Sequence, residues 1–279
     1  MNQEEQKYLE LMRDIIANGK FSNDRTGDGC YSQFGRQLRF SLADNVVPMI
    51  TTKKLFYRGA IEELLFFIRG ETNTKLLEEK GVNIWKGNTS REFLDSRGLK
   101  HYPEGEMGPM YGYVWRNWQG IDQLNNALDL IKNNPASRRI MVTAYDPALS
   151  SKSVLDPCHM FFMLNVEDGK LSLLWFQRSV DEFLGFPINL LSYAILTKLL
   201  AKAVKLEPGE VIFSGGNCHV YKHHVPAVTE QVKREPYPFP KLYIDKEISS
   251  IEDMCNLKFE DFRIENYQYH PQIKARMSI

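Results

Sequence analysis

At 279 residues the chain is long enough for one large core or two modest domains, and its 35 basic residues balance 35 acidic ones. That balance implies no general polyanion-binding surface and no specific nucleic acid partner. The longest uncharged apolar stretch, residues 183–197, is too short to span a bilayer and contains Pro187 and Asn189. Four scattered cysteines (Cys30, Cys158, Cys218, Cys255) make no C-x-x-C pair, and the opening Met-Asn-Gln-Glu-Glu-Gln-Lys has no basic-then-apolar pattern. Free thiols in a cytoplasmic protein, with no metal site, are therefore expected.

In chain order, Tyr8, Leu11, Met12, Ile15 and Ile16 recur at helical spacing and stop before Asn18-Gly19. Residues 33–40 read as a strand and 61–69 as a buried helix. Residues 87–108 are polar and charged, the best candidate for an excursion from the body. An amphipathic helix follows over 123–132 through Leu124, Leu128 and Ile131. Strands are predicted at 140–145, 160–166 and 171–176, a long apolar helix at 190–204, and the start of another strand at 211–213. Helices and strands mix without strict βαβ alternation, repeats or linkers, so the expected fold is α+β in one domain over 1–279.

Between the last two of those three strands lies Asp168-Gly169, a strong hairpin signal. With these as the turn, Glu167 pairs with Lys170, Cys158 falls opposite Ser179, and His159 opposite Arg178; a bulge would shift this by one residue. Cysteine is more often a small core residue than a reagent, but a guanidinium beside a thiol favours the thiolate nucleophile. Arginines cluster with small polar groups in Asn23-Asp24-Arg25-Thr26-Gly27, Ser137-Arg138-Arg139 and Gln177-Arg178-Ser179. Single pairs of this kind are commonly surface ion pairs; three favour a phosphate monoester. Asn189 is either a helix N-cap or a reader of O4 and N3–H of uracil. His219 and Tyr221, two apart on a strand, share a face and suit a sugar hydroxyl or a polar core seam. Glu63 sits in an apolar helix, where burial would raise its pKa and suit it to proton transfer, although periodicity does not choose between Glu62 and Glu63. Trp85, Tyr111, Tyr113, Trp115 and Trp118 are stacking surfaces or core aromatics.

These segments occur in an order that resembles the thymidylate synthases, nearly end to end. Asn23-Asp24-Arg25-Thr26-Gly27, Glu63-Leu64-Leu65, Ile84-Trp85, Gly108-Pro109-Met110-Tyr111-Gly112, Ser137-Arg138-Arg139, Pro157-Cys158-His159, Gln177-Arg178-Ser179 and Asp181-x-x-Leu184-Gly185-x-Pro187-x-Asn189 carry the resemblance. The stretch from His270 resembles the family's closing segment. The resemblance implies a large mixed sheet flanked by helices, and a homodimer formed through that sheet. It implies dUMP as the pyrimidine nucleoside monophosphate and 5,10-methylenetetrahydrofolate as co-substrate, without metal. Cys158 would add to C6 of the pyrimidine. Arg25, Gln177, Arg178 and Ser179 would hold the nucleotide, with Arg138 and Arg139 supplied by the second subunit. Asn189 would read the base, His219 and Tyr221 the sugar. Glu63, His159 and Tyr111 would manage protons and water. Trp85, Leu155, Asp181, Leu184, Gly185, Ile188, Tyr221 and Ser278 would line the folate site.

Several positions depart from the family's usual pattern. Asp156 stands where an uncharged residue is usual, Tyr145 for Trp, Val114 and Met163 for Gln, Ile188 for Phe, and Lys86 and Asn217 for Asp. Lys86 and Ile188 fall where the folate should stack. Such changes also suit the related pyrimidine nucleotide hydroxymethylases, in which water rather than hydride captures the exocyclic methylene; the resemblance favours methylation.

Overall fold

Buried Tyr8, Leu9, Met12 and Ile15 press one face of helix α1 (Gln3–Asn18) onto the core, and the Asn2 side chain caps its start by accepting from the Glu5 N–H. The computed structural model describes residues 2–23 and 27–278. After α1 come β1 (Lys20–Ser22), β2 (Cys30–Ser41), α2 (Tyr57–Ile68), α3 (Lys75–Glu78), α4 (Arg91–Ser96), α5 (Gly112–Asn117) and α6 (Gln123–Asn133). Then follow β3 (Met141–Thr143), β4 (His159–Glu167), β5 (Lys170–Asp181), α7 (Gly185–Ala203), β6 (Glu207–Tyr221), α8 (Val225–Gln231), β7 (Lys241–Ile244), α9 (Ile251–Cys255) and β8 (Phe262–Glu265).

Among the described residues these strands form a six-stranded sheet in the order β1-β2-β6-β5-β4-β3 and a separate β7-β8 pair. All neighbours in the large sheet are antiparallel except β5 and β6, which run parallel. The crossover between those two is α7, whose apolar residues go all the way round because it packs on β5, β6 and α2 at once. It is a mixed sheet flanked by helices, an α+β body. Alternation along β4 and β5 buries Phe162, Leu164, Leu173 and Trp175. It sends Phe161, Met163, Leu174 and Phe176 to the opposite face, where Met163 is 37% exposed and its cross-strand partner Met141 is 50% exposed.

The Asp168-Gly169 turn forms with both residues left-handed (φ 50° and 73°), and Glu167 pairs with Lys170. The expected register runs as far as Phe161 opposite Phe176; a bulge between His159 and Phe161 then moves His159 opposite Gln177 rather than Arg178. Arg178, not Ser179, accordingly meets Cys158, its N–H donating to the Cys158 carbonyl at 2.9 Å. Helix α7 begins five residues before its predicted start, because Pro187 is tolerated in a first turn that needs no N–H there. The polar stretch 87–108 contains α4 and is pinned to the body: Leu94, Leu99 and Met107 are buried, and the Arg91 guanidinium binds the carbonyls of Tyr102 and Leu99.

Candidate active site

The parallel seam and the start of α7 place Gln177, Ser179 and Asp181 from β5 beside His219 and Tyr221 from β6 and Gly185, Ile188 and Asn189 from the helix. Helix α2 contributes Glu63, the segment before β4 contributes Leu155 and Cys158, and β4 begins with His159; Trp85, Tyr111, Leu184 and Ser278 complete the wall of a cleft of ≈ 280 Å³. Ile84, Asn88 and Met277 line it as well.

Tyr111 occupies a backbone conformation (φ 37°) that a bulky side chain adopts only under constraint. Its buried hydroxyl accepts the Cys158 N–H at 2.9 Å, which fixes the backbone at Cys158. On the other side, Arg178 reaches back with Nε to the Pro157 carbonyl (2.9 Å) and Nη2 to the Asp156 carbonyl (2.7 Å). The guanidinium thus braces the turn that presents Cys158. The Asp156 carboxylate accepts a hydrogen bond from Ser150.

Both glutamates of α2 are buried, and their partners separate them. Glu62 pairs with Lys80 at 2.7 Å. Among the described residues Glu63 accepts the Trp85 indole N–H alone, also at 2.7 Å, and burial pushes its carboxyl up to about 7. It exchanges a proton near neutrality, as a general acid–base group must. His159 is the reverse case: burial holds it down to about 4 against an opposing hydrogen bond to the Asn189 side chain, so the ring is neutral. Tyr193 lies 3.2 Å from its Nδ1. Asn189 sits in the second turn of α7, too deep to cap it, and its amide donates to Gln177 Oε1 at 3.2 Å. Asp181 accepts the N–H groups of Phe183 (3.0 Å) and Leu184 (3.2 Å), with His224 Nδ1 3.8 Å away.

Some expectations fall elsewhere. Arg25 lies outside the described residues. Arg138 and Arg139 are exposed and do not line this cleft. Lys86 turns outward beside Glu78 (3.9 Å), whereas Ile188 does line the wall. Of the aromatic run only Tyr111 lines the cleft; Trp115 is core. Tyr193, one helical turn beyond Asn189 on α7, was available to sequence reasoning and was missed. Buried Lys53, pushed down to about 7 by desolvation despite nearby Asp181, carried no sequence signal. Among the described residues no cluster of three or more His, Cys, Asp or Glu could hold a metal ion, and no helix is long and apolar enough to cross a membrane.

Sequence comparison agrees with this arrangement. The profile of the thymidylate synthase family matches residues 6–279. Over the whole chain, 46% of residues are identical to the thymidylate synthase of Saccharomyces cerevisiae, across 98% of that protein. Identity is 45% to thymidylate synthase 1/2 of Encephalitozoon cuniculi, covering 98% of this chain and 97% of that one. It is also 45% to the bifunctional dihydrofolate reductase-thymidylate synthase of Zea mays, of which the match covers 55%.

Proposed function

Because the chain belongs to the thymidylate synthase family, we propose that its cleft takes dUMP and 5,10-methylenetetrahydrofolate with the residues described above in specific roles. The reaction transfers a one-carbon unit to C5 of dUMP and reduces it with hydride from the folate, giving dTMP and dihydrofolate. The observation that carries the residue assignments is the convergence of Cys158, Glu63 and Asn189 on one cleft, with the Cys158 N–H anchored by Tyr111.

Cys158 adds through sulfur to C6, which makes C5 nucleophilic. Glu63, poised near neutrality, moves protons at O4 and the folate nitrogen; neutral His159 stays a hydrogen-bonding partner instead of competing as a cation. Tyr111 positions the water that removes the C5 proton. The Asn189 amide both donates and accepts, which complements uracil's O4 and N3–H. His219 and Tyr221 hold the sugar, and Gln177 and Ser179 the rest of the nucleotide. Asp181, Leu155, Leu184, Gly185, Ile188, Trp85, Tyr221 and Ser278 face the folate.

The phosphate needs cations, and among the described residues no arginine or lysine lines this cleft; a homodimer would supply them. Phe161, Met163, Leu174, Phe176 and Met141 form an apolar sheet face suited to a second copy. Exposed Arg138 and Arg139 precede β3 at the edge of that sheet and would reach into the partner's cleft, joining Arg25 and Arg178. The whole of 1–279 serves as one catalytic domain, and reduced cysteines suit a cytoplasmic setting. Pure protein mixed with dUMP and methylenetetrahydrofolate should yield dTMP by mass in step with dihydrofolate absorbance. A 5-hydroxymethyl nucleotide without dihydrofolate would refute reduction by the folate.

A further inference from the structure

Helix α7 carries Asn189 near one end and Lys202 near the other, about 20 Å apart along its axis at the usual rise per residue. At that far end a second cavity, of ≈ 450 Å³, opens between the close of α7, the turn into β6 and strand β7. Three amines line it: Lys198, Lys202 and Lys205. Lys198 and Lys202 stand one turn apart on the same helix face, and Lys205, left-handed at φ 58°, follows the end of the helix. Glu207, Asp245 and Glu247 stand at the exposed rim, where Asp245 is taken by Arg263 at 3.0 Å. None of the three lysines is in an ion pair among the described residues.

Surface lysines need no ligand to explain them, and Lys202 in the last turn suits the negative end of the helix. Lys198 does not fit that account. It sits a turn deeper, where the helix-end effect has faded, and only 6% of it is exposed. Its Nζ donates to the Leu42 carbonyl at 3.2 Å, a neutral partner. Burial holds the amine down to about 8 against the opposite pull of Glu207. At pH 7.5 about a quarter of such side chains are free amine, against about one in a thousand for an ordinary lysine. An uncharged amine at the wall of a cavity is a nucleophile, and ammonium groups beside it suit a phosphate.

We propose that Lys198 is a site of acylation by small acyl phosphates, with Lys202 and Lys205 holding the phosphate while the amine attacks the acyl carbon. The C–N bond forms as the C–O bond to phosphate breaks. Its electron pair leaves on inorganic phosphate, and the amine proton goes to solvent. Nothing is oxidised or reduced. The product amide keeps an N–H for the Leu42 carbonyl and has no charge to bury, so it fits the floor on which it is made. This chemistry is independent of the cleft and of the nucleotide reaction there.

The test is incubation of the folded protein with acetyl phosphate, read as rates of acetylation at individual lysines by peptide mass spectrometry. Lys198 should react at least about tenfold faster than exposed Lys100 and Lys233, at a rate that rises with pH and levels off above about 8. Acetic anhydride, which carries no phosphate, is the control donor. Lys202→Gln with Lys205→Gln should slow Lys198 about fivefold or more towards acetyl phosphate and leave its rate with acetic anhydride within about twofold. Equal rates at Lys198, Lys100 and Lys233 overturn the proposal. So does a fast Lys198 that the double variant slows equally with both donors, or with neither.

Discussion

Glu182 follows directly on β5, next to Asp181, and is wholly buried, with neither carboxyl oxygen in a hydrogen bond among the described residues and the Cys218 thiol alongside. Desolvation, the largest influence, pushes it up to about 8 from an ordinary 4.5. The folded chain therefore keeps a proton that the unfolded chain releases between those values. Stability from this group falls as pH rises through that window and reaches its lowest above about 8. Glu182→Gln removes the titration. The variant's stability relative to wild type should grow between pH 5 and pH 8 by on the order of 1–4 kcal/mol and then level off. Denaturant unfolding of both proteins across that range decides it, and a gap that ignores pH would show that Glu182 does not stay protonated. Glu63 shifts in the same direction but is present in both proteins and drops out of the difference. Residue type alone could not distinguish these environments: Glu62 meets Lys80 and Glu63 meets Trp85, partners supplied by a segment beyond the helix.

The β4–β5 hairpin was the element most legible in the sequence, and its turn explains why. Gly169 has φ 73°, open space around it, and no side-chain role. Gly169→Ala should cost about 1 kcal/mol through backbone strain alone, seen as a lower melting temperature with unaltered nucleotide affinity. An unchanged melting temperature would mean that the turn relaxes into another form. Helices α1 and α6 were equally readable, since each puts a periodic apolar stripe on the core, and α2 was readable as a continuous apolar run that is buried all round. The bulge at His159 was not located, because it answers to where Cys158 must stand and to nothing in the local pattern. Strand β6 begins at Glu207 rather than at the expected 211, because Pro208 and Gly209 have little strand preference of their own and the pairing of Glu207 and Pro208 with β5 supplies it. The site residues could be found because they come in short runs. Their contacts could not, as with Arg178, which braces the carbonyls of Asp156 and Pro157.

At the scale of the molecule, the separation of Arg138 and Arg139 from the cleft that needs a phosphate ligand makes the proposed homodimer testable by mixing. A Cys158→Ser protein keeps its arginines, and an Arg138→Ala/Arg139→Ala protein keeps its thiol. Each should be nearly inactive alone. Allowed to exchange subunits, half the dimers become mixed, and each mixed dimer holds one complete site. Activity should then recover to about a quarter of wild type. No recovery after exchange verified by mass would place the arginines' role within their own subunit or remove it.

The parallel seam between β5 and β6 has a further consequence, for how the chain folds. Asp181 lies opposite His219 across that seam, and β6 is at the same time paired to β2, far back in the sequence. The β5–β6 ladder needs the α7 crossover laid over the gap, and the β2–β6 ladder closes a long stretch of chain; contacts so distant along the chain close slowly. The hairpin and the helices come early and cheaply; the two halves of the cleft meet only at the end. Activity is thus expected to return late in refolding, with the closing of the β5–β6 seam and not with the helices.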